Sequence, residues 1–276
     1  LVSPFHFPDS IFPKKVETWN PHNLLDKKGS KPMTTHIPNT PDALETLQRR
    51  IQRIRDRVVG VACGYHTACY LVGRPGTSKT FTVLEELKHL EMEGTLHSYR
   101  NARMTPMGLF DLISEHPEHV IVLDDIGTLF KSDQAMQILM AATGGDPKKP
   151  RRVTYKSKDK DFHTMFSGGN IAISNVPLRH DPLAQAFGSR AVILEHEPTD
   201  EEIAGFMLQL ATKGQNGLSP HECLEVAEFV ITETRDHDHR LDLRHYSKAL
   251  QDFRQDRDGL TGCSWQELVR TSLSKT

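Results

Sequence analysis

Short apolar runs alternate with helix-like periods along the middle of the chain, and this alternation predicts a layered α/β domain. The apolar runs are ACYLVG, TLHSYR, HVIVLDD, GNIAISN and RAVILEH, all within residues 68–197. Runs of this length between polar segments are typical of buried strands. The segments between them, KTFTVLEELKHLE, TPMGLFDLISEH and SDQAMQILMAAT, have helical spacing. Strands that alternate with helices predict a parallel sheet with helices on both faces.

A helix is predicted before the first strand, with Thr40 as its N-cap and Pro41 at its first position. Its apolar stripe consists of Leu44, Leu47, Ile51, Ile54 and Val58. Five arginines lie largely off that stripe, and two interpretations of them stay open: a solvated face or contacts to phosphates. They are Arg49, Arg50, Arg53, Arg55 and Arg57.

The pattern changes at both ends of this region, which predicts three parts. Residues 1–40 contain six prolines and little periodicity, and we expect an extended arm there. Residues 41–197 form the predicted α/β nucleotide-binding domain. Residues 198–276 form a predicted small all-helical lid domain. Three capping boxes open helices in it, namely Thr199…Glu202, Ser219…Glu222 and Ser264…Glu267.

Composition narrows the function classes only slightly. A net charge of −2 and a pI near 6.8 give no overall nucleic-acid signature, so such a contact would need a local basic patch. The four cysteines lack the C-x-x-C spacing of zinc sites, and we expect reduced thiols and a cytoplasmic location. No apolar run approaches the roughly 18–20 residues that a membrane span requires, so no membrane contact is expected.

The segment GRPGTSKT, residues 73–80, fits a phosphate-binding P-loop of the form G-x-x-x-x-G-K-[ST] at every position except Ser78. Backbone N–H groups wrap the phosphates in such a loop, and the lysine reaches the β- and γ-phosphates. The segment follows a predicted strand and opens a predicted helix, whose N-terminus favours anions. The predicted nucleotide-binding residues are Gly73, Pro75, Gly76, Thr77, Ser78, Lys79 and Thr80.

A second acidic motif follows the strand HVIVLDD. Ligands of open α/β sheets bind at the carboxyl ends of the strands, where Asp124 and Asp125 lie. We expect Asp124 to hold Mg²⁺ together with Thr80, and Asp125 to orient the attacking water. The alternative is a buried strand that ends in two solvated carboxylates.

The order of GRPGTSKT, IVLDD, IAISN, DPLAQAFGSRA and LDLRHYSKAL resembles the AAA+ ATPases over residues 41–276. The resemblance implies ATP and Mg²⁺ as ligands, hydrolysis of ATP, and a homo-oligomeric ring or filament. It also implies three roles. Asn175 is similar to sensor 1, which positions the lytic water. Arg190 is similar to the arginine finger, and Arg244 to sensor 2.

Two residues depart from the usual family pattern. Ser78 stands where most members have glycine, although MoxR-like ATPases also carry another small residue there. Asp125 stands where most have glutamate, and LDDIG is similar to the initiator and helicase-loader branch. GSRA is similar to the S-R-C motif of clamp loaders. These similarities favour a role in remodelling nucleic acid or a replication- or transposition-type complex.

A basic segment lies between the acidic motif and Asn175. Residues 148–160 contain seven lysines or arginines against one aspartate, and the surrounding pattern predicts a hairpin. One interpretation is nucleic-acid binding by this hairpin, with Tyr155 stacking on a base. The other is a soluble hairpin whose lysines protect an exposed edge. The candidate contacts are Lys148, Lys149, Arg151, Arg152 and Tyr155.

Two other functions remain open from the sequence. One is a chaperone-type ATPase that remodels a protein client. The other is a nucleotide-gated scaffold that binds ATP and hydrolyses little of it.

Overall fold

The computed structural model describes residues 41–127, 129–156 and 160–273. The predicted arm, residues 1–40, lies outside the described residues, and so does the predicted N-cap Thr40. The described chain divides into two compact units, one of residues 45–199 and one of residues 41–44 and 200–273.

Five strands of the first unit form one parallel sheet, as the alternating pattern predicted. The strands in chain order are β1 (Ala68–Val72), β2 (His97–Arg100), β3 (Val120–Asp124), β4 (Arg151–Lys156), β5 (Asp161–Phe166), β6 (Asn170–Ser174) and β7 (Val192–Glu195). The sheet has the order β2-β3-β6-β1-β7, with every neighbouring pair parallel. β4 and β5 form a separate antiparallel hairpin.

Nine helices and one short 3-10 turn, Leu129–Lys131, accompany these strands in the described residues. They are α1 (Pro41–Ala62), α2 (Lys79–Glu91), α3 (Pro106–Glu115), α4 (Asp133–Thr143), α5 (Pro182–Gly188), α6 (Asp200–Ala211), α7 (Pro220–Asp236), α8 (Leu243–Arg257) and α9 (Trp265–Leu273). Apart from the first residues of α1, the first five belong to the α/β unit, and the last four to the helical unit.

Helices cover both faces of the sheet because successive side chains of each strand point to opposite sides. Cys69 and Leu71 of β1 pack on the face that contacts α1 and α2. Tyr70 and Val72 pack on the other face, which contacts α3, α4 and α5. The predicted α/β fold class with helices on both faces is confirmed.

The β4–β5 hairpin packs one face against α3 and α4. Val153 and Phe166 are fully buried there, and the rings of Tyr155 and Phe162 lie 6.0 and 6.1 Å from the ring of Phe110. The opposite face of the hairpin is exposed to solvent. The hairpin thus has one face that packs on α3 and α4 and one face that is exposed to solvent.

In the helical unit, Ser219 and Glu222 form a complete capping box at the start of α7. Trp265 of α9 packs edge-on against Phe229 and Phe253, with ring centres 4.9 and 5.2 Å apart. These contacts join α7, α8 and α9 into one small core. In neither described unit is a helix long and apolar enough to cross a membrane.

All five strands run in the same direction, so the two ends of the sheet differ chemically. The carboxyl edge is the side where the strands end, and the amino edge is the side where they begin. At the carboxyl edge, β1 leads into Gly73, β3 into Asp125, β6 into Asn175 and β7 into His196. At the amino edge lie the residues that precede the strands, including the turn between α1 and β1. The polar residues predicted to carry chemistry, apart from Arg190 and Arg244, therefore meet at the carboxyl edge.

Candidate nucleotide-binding site

The loop of residues 73–78 joins β1 to α2 and is anchored to neighbouring strands. The Gly73 N–H donates to the Ser174 carbonyl at 3.2 Å. A Cβ atom on Gly73 would lie 2.0 Å from the carbonyl oxygen of His196. Glycine is required at this position because the end of β7 approaches the loop too closely for any side chain.

Two residues of the loop have the left-handed backbone conformation. Gly76 has φ 72° and Ser78 has φ 68°. The second value explains why glycine is the usual residue at position 78, because an L-residue with a Cβ is strained there by roughly 1–2 kcal/mol. The Ser78 hydroxyl is buried and has no hydrogen-bond partner among the described residues.

Lys79 begins α2 and is 5% exposed. Its ammonium donates to the carbonyl oxygens of Gly73 and Arg74 at 2.7 and 2.6 Å. It also donates to the side-chain oxygen of Asn175 at 3.0 Å. The ammonium therefore lies among the backbone of the loop and the polar residue that follows β6.

Asp124 is buried at the end of β3 and accepts two hydrogen bonds through one carboxylate oxygen. Thr80 donates at 3.0 Å and Tyr99 of β2 donates at 2.8 Å. Burial raises the pKa of Asp124 above its usual range, and these two hydrogen bonds act in the opposite direction. Together the two hydroxyls fix the orientation of the carboxylate.

Asp125 and Asn175 form a pair beside Lys79. The Asn175 amide donates to the Asp125 carboxylate at 2.8 Å, while the Asp125 N–H donates to Ile173 at 3.0 Å. Asp125 has φ 51°, a conformation that aspartate and asparagine tolerate better than longer side chains. The backbone at this position thus gives a reason for aspartate in place of the usual glutamate.

His196 and Tyr99 belong to the site, although no sequence pattern predicts them. The His196 ring is 1% exposed and its Nε2–H donates to the Thr77 carbonyl at 2.9 Å, which holds the loop against the end of β7. Tyr99 reaches Asp124 only because β2 lies next to β3. Nothing in the local sequence around either residue indicates these contacts.

Two solved structures are similar to this chain. Domain III of the Thermotoga maritima replication initiation protein DnaA has a TM-score of 0.49 and 14% identity, covering 86% of this chain and 99% of that one. A RuvB variant from Thermotoga maritima has a TM-score of 0.37 and 14% identity, covering 76% of this chain and 69% of that one. No family model matches the sequence, and neither does any curated protein.

The topology and the site together decide the fold. A P-loop follows β1 of a parallel sheet, an acidic pair follows β3, a polar residue follows β6, and a helical unit comes last. The chain has a P-loop α/β fold.

The residues of this loop fit a nucleotide with a divalent cation. Lys79 supplies a positive charge, and the N-terminus of α2, which begins at Lys79, favours anions such as phosphate. Thr80 and Asp124 supply the oxygen ligands that Mg²⁺ prefers. Over the described residues, no group of three His, Cys, Asp or Glu side chains could hold a metal. Mg²⁺ usually keeps several waters and binds substrate phosphates, so two protein ligands such as Thr80 and Asp124 are enough for it.

Arg190 lies at the other edge of the sheet from this site. It precedes β7, whose Val192 is level with Cys69 near the start of β1, and its guanidinium donates back to the Ala186 carbonyl of α5. The P-loop begins beyond the far end of β1, about 13 Å further along the strands. Arg190 therefore does not reach the P-loop of its own chain.

Arg244 belongs to the helical unit. It is exposed in the first turn of α8, where its N–H donates to Asp242 at the helix N-terminus. The role of Arg244 as sensor 2 stays a prediction.

Two of the predicted nucleic-acid contacts are wrong. The Arg151 side chain points inward, where its guanidinium donates to the Pro147 and Gly168 carbonyls and lies 5.3 Å from the centre of the Phe166 ring. Burial also lowers the pKa of Arg151. Tyr155 packs on Phe110 beneath the hairpin, so its ring is not a free stacking surface. Both residues stabilise the base of the hairpin.

The other three predicted contacts lie at the surface. Lys148 and Lys149 are exposed in the loop before β4, and Arg152 is exposed on the solvent face of the hairpin. Lys149 lies 3.8 Å from Asp146, and an exposed pair at this distance leaves the ammonium accessible.

Replacing Ser78 by glycine should stabilise the nucleotide-free protein by about 1 kcal/mol, because it removes a strained backbone and an unpartnered buried hydroxyl. Thermal or denaturant unfolding measures this change. Ser78→Ala is the matched variant, since it removes the hydroxyl and keeps the strain. ATP affinity should be at least as high in Ser78→Gly as in the parent. A similar loss of affinity in both variants would show instead that the hydroxyl binds the nucleotide.

Proposed function

We propose that this chain is an ATP-binding, Mg²⁺-dependent ATPase of the AAA+ type that works as an oligomer and remodels nucleic acid or a replication-type nucleoprotein complex. The observation that carries the proposal is the hydrogen-bonded set of Lys79, Asn175 and Asp125 beside the P-loop. It brings a phosphate-binding cation, a polar positioning group and a carboxylate to one point at the carboxyl edge of the sheet.

In this proposal Lys79 exchanges its carbonyl partners for the β- and γ-phosphates of ATP. The ammonium already lies 2.6–2.7 Å from two loop carbonyls, so a small movement of a flexible side chain is enough. Phosphate oxygens carry a full charge and are stronger acceptors than carbonyls. Thr80 and Asp124 would hold Mg²⁺, which neutralises charge that develops on the phosphates. Tyr99 keeps the Asp124 carboxylate in position when the Thr80 hydroxyl turns to the metal.

Asp125 would accept a proton from the attacking water, and Asn175 would orient both partners. The Asn175 side chain contacts Lys79 through its oxygen and Asp125 through its nitrogen. An amide held at both ends has a fixed orientation, which a water-positioning group requires. These contacts support the sensor 1 role that the resemblance implied.

Arg190 would act on the nucleotide of a neighbouring chain. Its place at the amino edge supports this role, since it is remote from the P-loop of its own chain. An oligomer in which the amino edge of one subunit faces the carboxyl edge of the next would complete each site.

The nucleic-acid part of the proposal rests on the exposed cations Lys148, Lys149 and Arg152. ATP turnover measured with and without single-stranded and duplex DNA tests it. Stimulation by DNA that falls with salt supports a nucleic-acid client. Stimulation by a protein client alone would favour a chaperone-type ATPase, and tight binding without turnover would favour a nucleotide-gated scaffold.

The site assignment is tested by nucleotide binding. Lys79→Ala should abolish measurable ATP binding, because it removes the ammonium that donates to the loop carbonyls and would meet the phosphates. Calorimetry or a fluorescent nucleotide measures the affinity. Lys88→Ala, an exposed lysine further along α2, is the matched control and should bind like the parent. Equal affinity in both variants would contradict the assignment.

A further inference from the structure

A cavity of about 280 Å³ opens at the amino edge of the sheet, opposite the P-loop. It lies between the turn after α1, the turn before β2 and the loops before β3, β4 and β6. Gly64, Leu96 and Pro147 form part of its wall, and the side chains of His66 and Glu118 line it. This volume suits a planar group of the size of a nucleobase, smaller than the roughly 300–1,000 Å³ of drug-sized sites.

An exposed aromatic ring stands at the rim of this cavity. Tyr65 lies between Gly64 and His66, which both line the cavity, and it is 70% exposed. The ammonium of Lys148 lies 5.8 Å from the centre of its ring. Singly exposed apolar residues are common, and this ring is distinguished by its place beside the cavity and under the Lys148 ammonium.

Positive charges continue from the rim along α1. A guanidinium nitrogen of Arg57 lies 3.3 Å from the His66 ring. Arg49, Arg53 and Arg57 are exposed and follow one another at intervals of four residues, so they form a row on one side of the helix. Like charges at this spacing repel and destabilise a helix slightly. Arg49 pairs with Glu45 one turn away on the same helix, so Arg53 and Arg57 are the members of the row that matter for a polyanion.

We propose that this amino-edge site, defined as Tyr65, His66, Glu118, Lys148, Arg57 and Arg53, binds an unpaired nucleotide of a single-stranded nucleic acid. The inference rests on the proposed nucleic-acid client and deepens it, because it names the form of the nucleic acid and where it binds. A base stacks on Tyr65 at the mouth of the cavity. The phosphates on either side lie along Lys148, Arg57 and Arg53.

The charged side chains favour an orientation with the base in the cavity and the phosphates outside it. Glu118 lines the cavity and would repel a phosphate, but its carboxylate accepts hydrogen bonds from the amino groups of a base. The cations stand outside the cavity, where the backbone would run. Two acidic residues lie nearby. Asp56 accepts a hydrogen bond from Gln52, and Asp146 pairs with Lys149. Duplex DNA keeps its bases stacked and paired, so only an unpaired base can enter.

The test measures the affinity of the full chain for a short fluorescent single-stranded oligonucleotide over a range of salt. Tyr65→Ala should weaken binding about 10-fold or more, which corresponds to the loss of one stacked base, while Tyr65→Phe keeps the ring and should stay close to the parent. Arg53→Gln combined with Arg57→Gln should lower the slope of log affinity against log salt by about 1.4, for two phosphate contacts.

The matched control removes the same charge near the tip of the hairpin, from exposed lysines outside the proposed site. Lys156→Gln combined with Lys160→Gln should leave the affinity and the salt slope close to those of the parent. All variants should retain the ATP affinity of the parent, because the amino edge is remote from the P-loop of the same chain.

Three results would overturn the proposal. Equal affinities for Tyr65→Ala and Tyr65→Phe would show that no base stacks there. A loss in the control pair as large as in the arginine pair would move the contact to the hairpin. A parent protein that hydrolyses ATP but binds no single strand would contradict both this site and the nucleic-acid client, and would leave the ATPase proposal intact.

Discussion

Arg190→Ala should lower ATP turnover by about 10³-fold or more while ATP affinity stays unchanged, as expected for an arginine that stabilises charge in the transition state. The exposed guanidinium lies at the amino edge and reaches no phosphate of its own chain. Steady-state ATP hydrolysis measures the turnover, and a separate nucleotide-binding experiment measures the affinity. Arg254→Ala, an exposed arginine 3.8 Å from Asp258, is the matched control and should keep both.

The proposed action of Arg190 on a neighbouring subunit predicts a second result, which a mixture of two variants tests. Arg190→Ala subunits mixed with Lys79→Ala subunits should regain part of the activity, because each Lys79→Ala subunit supplies an arginine to an intact pocket. Specific activity of the parent should also rise with protein concentration. Full turnover by a dilute monomer, together with an inactive mixture that still assembles, would contradict action in trans.

Asp125→Asn should lower turnover by about 10²–10⁴-fold and retain ATP binding, since an amide cannot accept the proton of the attacking water. Asparagine suits this test because it tolerates the left-handed backbone at φ 51°, so the change is confined to the carboxylate. A single-turnover measurement with bound ATP separates the chemical step from product release.

Asp111→Asn, at an exposed position of α3, is the matched control for Asp125→Asn and should hydrolyse ATP like the parent. Normal turnover in Asp125→Asn would place the proton acceptor elsewhere. Loss of ATP binding in the same variant would show that Asp125 holds the metal or the loop rather than water.

Local sequence patterns predicted the strands, the helices and the meeting of Lys79 and Asp124 at one edge, and the family resemblance added Asn175. Parallel strands place their carboxyl ends at one edge whatever their order, so predicting the shared edge needed no knowledge of the strand order. The contacts among these residues exist because β6 lies between β1 and β3. Including Tyr99 and His196 in the site did require the strand order. Their contacts exist because β2 lies beside β3 and β7 beside β1, and the spacing of residues along the chain does not contain that information.

The predicted nucleic-acid contacts of Arg151 and Tyr155 were wrong for a different reason, which the sequence could have revealed. Arg151, Val153 and Tyr155 share one face of β4 because side chains alternate along a strand. The apolar pair Val153 and Tyr155 identifies that face as the inner one, so Arg151 follows them inward. Net charge along a segment is a poor guide to its surface unless this alternation is counted.

The P-loop and Arg190 lie at opposite edges of one sheet, and this placement also affects how the number of complete sites depends on the number of subunits in an assembly. With an arginine that acts only on the next subunit, an open row of subunits always contains one pocket that no arginine completes, whereas a closed ring contains none. In short open rows the average activity per subunit would rise with length and approach a limit. A closed ring would reach that limit in one step at a single size. The dependence of activity on assembly mass therefore distinguishes a filament from a ring without any image of either.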